Sequence, residues 1–252
     1  MKQAIRRLAS FPVQVLLWVF HSRPGHKLRR LFEDNKLTND LRRLRNRGID
    51  LNTIYDIGAN EGSWTGVFSS QLPRSKFFLF EANQAHAPAL EKTGYPHFIA
   101  LLSSSEKMVS FYQADSTGDS YYKENTARYA EVTPTERQAT TLDKLVRENN
   151  LPLPDLIKID TQGSELDIFE GGQDTLAHAA LVYMECPTVA YNADAPHIQD
   201  YLSGMQAHGF VPFNVYEIHR KAEVLVQLDI LFVRKDILFR LFPKAAATYT
   251  AL

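Results

Sequence analysis

Residues 53–62 read TIYDIGANEG. This short segment and the elements that follow it indicate the fold class of the chain. The first half of the segment is an apolar run of the length that is typical of a buried β-strand. Its second half contains Gly58 and Gly62, which permit a tight turn before a helical stretch. A second apolar run, over residues 76–80, ends at Glu81. A strand, a turn, a helix and another strand indicate a crossover unit of a parallel sheet.

The same alternation continues toward the C-terminus. Further strands are predicted near residues 97–101, 109–113, 155–160, 180–185, 210–216 and 224–233, and helices near residues 85–93, 164–170 and 197–208. The nearly continuous apolar strands indicate a sheet that is covered on both faces. The pattern therefore predicts an α/β fold with a doubly wound, mostly parallel sheet and an antiparallel strand at the C-terminal end. We expect this domain to span residues 51–252, after a basic N-terminal helical arm over residues 1–50.

The glycine turn is expected to hold a cofactor, because ligands of open parallel sheets bind at the carboxyl ends of the strands. A dinucleotide requires the pattern G-x-G-x-x-G, and here Asn60 stands between Gly58 and Gly62. S-adenosylmethionine has no phosphate and carries a cationic methionine portion and a ribose. Asp56 suits the cationic portion, and Glu81 at the end of the second strand can accept hydrogen bonds from both ribose hydroxyls. The residues therefore favour S-adenosylmethionine over a nicotinamide dinucleotide.

Several motifs now make a resemblance specific. They are DIGANEG at residues 56–62, FEAN at 80–83, TLD at 141–143, LIKIDTQGSEL at 156–166, FEGG at 169–172, and Glu185 followed by Tyr191. In this order they resemble the FkbM family of methyltransferases, over about residues 50–210. The resemblance implies a class I methyltransferase fold and S-adenosylmethionine-dependent O-methylation of a hydroxyl on a sugar, glycan or related metabolite. Gln162 departs from the family pattern, in which many members have Glu, and this excludes a catalytic carboxylate at that position.

The candidate cofactor-binding residues lie in the turns that follow three strands. They are Asp56, Gly58, Ala59, Asn60, Gly62, Glu81, Ala82, Asn83, Asp160 and Gln162. Since the cofactor activates the methyl group, the protein mainly aligns the reactants and removes a proton from the acceptor.

Three carboxylates are candidates for the catalytic base. Asp160 ends the clearest buried strand, Glu185 ends the next one, and Glu165 lies in the first turn of a helix, where its charge would also suit the helix dipole. Asp160 is the first choice, although it could instead cap its turn or bind the cofactor. The His residues show no ligand spacing, and we assign no metal site; a divalent ion between Asp160 and Glu185 is the alternative.

Tyrosines are the candidate acceptor-binding residues. The polar stretch over residues 115–137 contains Tyr121 and Tyr122, and Tyr191 matches a family position after Glu185. Loops of this length in compact domains are commonly functional, and tyrosine rings can stack on sugars while their hydroxyls form hydrogen bonds. We expect the stretch to contact the acceptor or to close over the site; a solvated insertion is the alternative.

The N-terminal arm carries a strong positive charge. Residues 1–47 contain 12 Lys/Arg and 3 Asp/Glu, whereas the whole chain has a formal net charge of −1. The apolar run over residues 11–20 is too short to span a bilayer, but Trp18 and Phe20 suit a helix lying in an anionic membrane interface. We therefore expect residues 1–30 to contact an anionic membrane surface, or else to pack on the body or on a second copy in a homo-oligomer. A nucleic-acid partner is not expected, because no recognition motif accompanies the basic residues.

Composition limits the remaining possibilities. Of 252 residues, 44% are hydrophobic and 23% are charged, which excludes a disordered, collagenous or coiled-coil chain. The single Cys excludes a disulfide scaffold and indicates a reducing compartment. We expect a cytoplasmic enzyme, peripheral at the inner face of the membrane. The alternatives are an NAD-dependent oxidoreductase and a catalytically inactive, membrane-docked protein with a methyltransferase fold.

Overall fold

A computed structural model describes residues 36–113, 118–123, 125, 129–189 and 192–244. A boundary between two compact units falls between Arg43 and Leu44. Helix α1 covers residues 36–46. The elements described below belong to the second unit. The division into an arm over residues 1–50 and a domain over residues 51–252 stays a prediction.

The second unit contains a seven-stranded sheet with the order β3-β2-β1-β6-β7-β9-β8. The strands are β1 (Thr53–Ile57), β2 (Lys76–Glu81), β3 (His97–Ile99), β4 (Met108–Phe111), β5 (Thr135–Gln138), β6 (Leu156–Ile159), β7 (Leu181–Pro187), β8 (Phe210–Lys221) and β9 (Val224–Arg234). The helices are α2 (Ser63–Gln71), α3 (Ala87–Thr93), α4 (Leu142–Glu148), α5 (Glu165–Glu170), α6 (Gln173–His178), α7 (Ile198–Ala207) and α8 (Lys235–Leu241). A short 3₁₀ helix over Gln84–His86 precedes α3.

Strand direction confirms the predicted fold class. β1 pairs in parallel with β2 and β6, β2 with β3, and β6 with β7. β9 runs antiparallel to β7 and forms a hairpin with β8. The sheet is therefore doubly wound and mostly parallel, with an antiparallel strand at its C-terminal end.

The central strands are buried because their side chains pack on both faces of the sheet. All five residues of β1 and all four of β6 are buried. Tyr55, Phe80, Ile157, Val182 and Phe232 belong to one core cluster that joins β1, β2, β6, β7 and β9. This burial is the physical reason for the nearly continuous apolar runs in the sequence.

Several local features differ from the sequence prediction, which also did not contain β5, α6 and α8. The predicted strand near residues 109–113 forms outside the main sheet, where β4 pairs antiparallel with β5. Helix α4 was not predicted; the Thr141 hydroxyl caps it by accepting from the Lys144 N–H at 3.2 Å. Asp143 then accepts from the Thr175 N–H at 2.9 Å in the first turns of α6. The motif at residues 141–143 thus has a structural function in helix capping.

Across the part of the chain that the structure describes, we find no helix with both the length and the apolarity that crossing a bilayer requires.

Candidate active site

A cleft of about 740 Å³, counting its open mouth, lies at the carboxyl ends of β1, β2 and β6. Its lining combines apolar side chains with a few polar groups, as is typical of small-molecule sites. Seven of the residues proposed from sequence line it: Gly58, Asn60, Glu81, Ala82, Tyr121, Asp160 and Gln162. The position agrees with the rule for ligand sites of open parallel sheets.

The turn after β1 is held tightly against its neighbours. The N–H groups of Gly58 and Ala59 donate to the Phe80 carbonyl at 2.9 and 3.0 Å. Gly58 has a φ of 72°, and a Cβ at this position would lie 1.8 Å from the Asp160 carbonyl oxygen. Only glycine fits, because the backbone of the turn touches the backbone after β6. Gly62, with a φ of 80°, ends the turn directly before α2.

Glu81 connects this turn to the end of β2. One carboxylate oxygen accepts from the Asn60 N–H at 2.7 Å, and the other accepts from the Asn83 N–H at 2.7 Å. The side chain of Asn60 also lies 3.2 Å from the His86 ring. Since each carboxylate oxygen has two acceptor sites, Glu81 retains capacity for two further donors in the cleft.

Asp56 does not lie in the cleft, contrary to the expectation that it contacts the cofactor. Its side chain is fully buried, accepts from the Thr65 hydroxyl at 2.7 Å and pairs with the Lys158 ammonium at 3.0 Å. Lys158 also donates to the Gly58 carbonyl at 3.0 Å. The ion pair between Asp56 and Lys158 therefore holds the backbone of the glycine turn in place, and Asp56 has a positioning role.

Lys158 was missed by the sequence reasoning, although a lysine inside an otherwise apolar strand was an available signal. Burial lowers the pKa of this ammonium, but the carboxylates of Asp56, Asp160 and Glu185 outweigh that effect and raise it overall. The charged form is therefore the stable one, and Lys158 carries a buried positive charge beneath the cleft.

Glu165 is enclosed by the loop that precedes α5. It accepts from the Thr161 N–H at 2.8 Å, the Gly163 N–H at 3.0 Å and the Tyr201 hydroxyl at 2.7 Å. The residue is 1% exposed. Its carboxylate therefore organises the loop, including the left-handed Gln162 with a φ of 57°, and the structure does not bring it into the cleft as a base.

Asp160 and Glu185 are joined by one amide. The side-chain nitrogen of Gln162 donates to Asp160 at 2.8 Å and to Glu185 at 3.2 Å. Burial raises the pKa of Asp160, an effect that Lys158 and the Gln162 hydrogen bond oppose. Burial, together with Asp160 and Asp229, raises the pKa of Glu185 well above its ordinary value. Of the two residues, Asp160 lines the cleft and Glu185 does not.

Acidic side chains continue from Glu185 onto the β8–β9 hairpin. The sequence analysis did not identify these hairpin residues as candidates. Asp229 is the register partner of Glu185 and accepts from the Tyr183 hydroxyl at 2.9 Å. The His219 ring lies 3.2 Å from Glu217 and 3.7 Å from Asp229. Hydrogen bonds to these two carboxylates raise the pKa of His219 to about 10.

Described residues of the polar stretch cover one side of the cleft. The Tyr121 and Tyr122 hydroxyls donate to Asp167 at 2.8 and 3.3 Å, and Asp119 accepts from the Asn83 amide at 2.8 Å. Tyr121 lines the cleft, whereas Tyr122 does not. The third predicted acceptor contact, Tyr191, lies outside the described residues.

Comparison with known proteins identifies the domain. The family model of the methyltransferase FkbM domain matches residues 56–212. The chain belongs to this family. The resemblance inferred from the motifs is confirmed, and the cofactor of the domain is S-adenosylmethionine.

The individual proteins that match the chain share little sequence identity with it. The 2-O-methyltransferase NoeI of Sinorhizobium fredii is 27% identical over 150 residues, which are 52% of this chain and 62% of that protein. The match thus spans less than two thirds of the relative. Among solved structures, a precorrin-6y C5,15-methyltransferase from Geobacter metallireducens has a TM-score of 0.41 and 14% identity, covering 72% of this chain and 78% of that one. The magnesium protoporphyrin IX methyltransferase of Synechocystis PCC 6803 has a TM-score of 0.43 and 10% identity, with coverages of 90% and 99%.

Proposed function

We propose that the protein is an S-adenosylmethionine-dependent O-methyltransferase that acts on a hydroxyl group of a sugar, a glycan or a related metabolite. The observation that carries this proposal is the position of Asp160. This residue lines the same cleft as Glu81 and Gly58, so that the proposed proton acceptor lies beside the proposed cofactor site. The name of NoeI, a 2-O-methyltransferase, supports oxygen as the methylated atom.

The residues present fit the cofactor. Glu81 is fixed by two backbone N–H groups and has acceptor capacity for the two ribose hydroxyls. The apolar side chains of Phe80, Leu101, Leu102 and Phe111 line the same cleft and suit an adenine ring. When bound, S-adenosylmethionine supplies a methyl group on a positively charged sulfur.

In the proposed reaction, Asp160 accepts the proton of the acceptor hydroxyl. The oxygen of that hydroxyl gains the methyl group, whose bond to sulfur breaks and leaves a neutral thioether. Gln162 holds the Asp160 carboxylate in place, and its amide hydrogen bond favours the charged form. Glu185, whose pKa burial raises, is the second acceptor of the Gln162 amide. A positioned base of this kind contributes about 10²- to 10⁴-fold to the rate.

The proposed acceptor is tested with S-adenosylmethionine labelled in its methyl group. The full chain is incubated with a panel of hydroxyl-bearing mono- and oligosaccharides and, separately, with amine- and carboxylate-bearing compounds. Label transferred to hydroxyl compounds supports the proposal. Label transferred only to nitrogen or to carboxylates would refute O-methylation while leaving the methyltransferase family assignment unchanged.

We also propose that residues 1–30 bind an anionic membrane surface and hold the enzyme at the inner face of the membrane. The support is chemical: this segment contains seven Lys/Arg and no Asp/Glu, together with an apolar run that includes Trp18 and Phe20. Basic residues and interfacial aromatics are the groups that attract a chain to anionic lipid. The competing outcome is an arm that packs on the body or on a second copy of the chain.

A further inference from the structure

The β8–β9 hairpin brings three metal-ligating side chains to one point. Glu217 and His219 are two residues apart on β8, and their side chains approach to 3.2 Å. Asp229 lies on the neighbouring strand β9. One ligand atom from each of the three residues lies within 4.8 Å of the other two. The side chains are partly buried, with exposed fractions of 31% for His219, 19% for Glu217 and 14% for Asp229.

Hydrogen bonds from outside the cluster orient Asp229. Its two carboxylate oxygens accept from the Tyr183 hydroxyl at 2.9 Å and from the Gln227 amide at 3.3 Å. Protein ligands of metal ions are commonly oriented in this way by a surrounding layer of hydrogen bonds. The carboxylate therefore keeps a fixed direction toward His219 without help from a bound ion.

The electrostatic surroundings favour a cation. Asp229 is the register partner of Glu185, and Glu185 shares the Gln162 amide with Asp160. Several carboxylates thus follow one edge of the sheet. Lys158 contributes positive charge to this edge, but its ammonium is bound by Asp56 at 3.0 Å. At neutral pH the His219 imidazolium, whose pKa is about 10, already offsets part of this negative charge. A divalent ion would take its place, and the imidazole would lose its proton on binding.

We propose that Glu217, His219 and Asp229 bind a divalent cation. One imidazole and two carboxylates suit ions that accept both nitrogen and oxygen ligands, such as Mn²⁺ or Zn²⁺. Three protein ligands leave coordination positions open, as in catalytic metal sites. Those positions can take water or the hydroxyl groups of an acceptor, and this second use alone rests on the proposed O-methyltransferase function.

Mn²⁺ is the probe for the test, because its bound and free forms are distinguished by electron paramagnetic resonance. The full chain is titrated with Mn²⁺ at mildly alkaline pH, without cofactor or acceptor, by calorimetry and by resonance. We expect one site per chain. His219→Gln and Asp229→Asn should each weaken Mn²⁺ binding by at least about 10- to 100-fold. Changing a residue that only hydrogen-bonds to a metal ligand already lowers metal affinity by that factor.

The matched control is His208→Gln. His208 lies 3.9 Å from Glu170 on another part of the domain. This variant therefore removes a histidine that is paired with one carboxylate, whereas His219 is paired with two. It should bind Mn²⁺ like the unmodified chain. Retained S-adenosylmethionine binding verifies that each variant is folded, and Glu217→Gln provides a third ligand change if one of the other two is not.

The proposal is overturned if the unmodified chain binds no Mn²⁺, in which case the cluster is an ion pair only. It is also overturned if folded His219→Gln and Asp229→Asn bind Mn²⁺ as tightly as the control does. Because the titration contains neither cofactor nor acceptor, both results leave the proposed methyl transfer untouched. Conversely, an enzyme without O-methyltransferase activity that binds Mn²⁺ at this site would refute only the proposed function.

Discussion

The amide nitrogen of Gln162 donates a hydrogen bond to the carboxylate of Asp160 at 2.8 Å. A hydrogen bond to the charged form of a carboxyl lowers its pKa, and here it opposes the burial that raises the pKa of Asp160. An amide at residue 162 therefore helps to keep the proposed base ionised. A carboxylate at the same place would instead add negative charge beside Asp160 and raise its pKa.

This relationship predicts a change in pH dependence for Gln162→Leu. Loss of the donor removes an effect that lowers the pKa of Asp160, so its pKa rises further. Because the proposed base must be deprotonated, the acidic limb of the turnover–pH profile should move to higher pH. The measurement is turnover against pH at saturating cofactor, with Gln173→Leu as the control, since Gln173 donates to the exposed Glu170 outside the cleft. An unchanged acidic limb in the folded Gln162→Leu variant would contradict the role of this amide.

Cofactor affinity should depend on Glu81. A charge-assisted hydrogen bond contributes about 1.5–3 kcal/mol, so Glu81→Ala is expected to weaken S-adenosylmethionine binding by about 10- to 100-fold. Glu91→Ala is the control, because Glu91 is an exposed glutamate in α3. Isothermal calorimetry on both variants gives the affinities. Equal affinities for the two folded variants would rule out the proposed contact between Glu81 and the ribose.

Two glycines provide a matched test of the turn. Gly58→Ala places a Cβ 1.8 Å from the Asp160 carbonyl oxygen at a φ of 72°, and it should destabilise the domain by several kcal/mol or prevent folding. Gly66 lies within α2 with open space around it. Gly66→Ala should therefore stabilise the domain by about 0.5–1 kcal/mol, because alanine is the better helix former. In thermal melts, the melting temperature should fall for Gly58→Ala and rise for Gly66→Ala. An unchanged melting temperature for Gly58→Ala would be inconsistent with the close backbone approach.

Deletion of residues 1–30 tests the membrane proposal. Each basic residue near an anionic surface contributes about 1 kcal/mol, so the full chain should co-sediment with vesicles that contain anionic lipid. Binding should weaken as the salt concentration rises, since the screening length falls to about 3 Å at 1 M. The truncated chain should lose vesicle binding and keep cofactor affinity. The opposite result is that the full chain does not co-sediment with the vesicles and truncation lowers the melting temperature or the oligomeric state. In that case the arm packs on the body or on a second copy of the chain.

The local parts of this structure were predictable from sequence, because the information lies within a few residues. The strand over Thr53–Ile57 and the strand over Lys76–Glu81 were located closely, since apolar runs and glycine turns punctuate them. The acidic residue at the end of β2 was found for the same reason. The antiparallel strand at the C-terminal end was also predicted from the pattern.

Side-chain partners were not predictable, because they depend on contacts between residues that are distant in sequence. Asp56 was expected in the cleft, but Lys158, about one hundred residues later, binds its carboxylate. Glu165 was expected to be available for catalysis, but Tyr201 and the preceding loop enclose it. The approach of Asp229 to Glu185 requires the register of two antiparallel strands, which no local pattern specifies.

The most direct test of the account is the turnover of Asp160→Asn with a hydroxyl acceptor that the labelled-methyl screen identifies. Asparagine keeps the oxygen that accepts from Gln162 and removes the proton-accepting charge. We predict a loss of turnover of about 10²- to 10⁴-fold, with cofactor affinity changed by less than about tenfold. Glu185→Gln, measured beside it, should lose less, because Glu185 does not line the cleft. Turnover of Asp160→Asn near that of the unmodified chain, or a larger loss in Glu185→Gln, would contradict the assignment of Asp160 as the base.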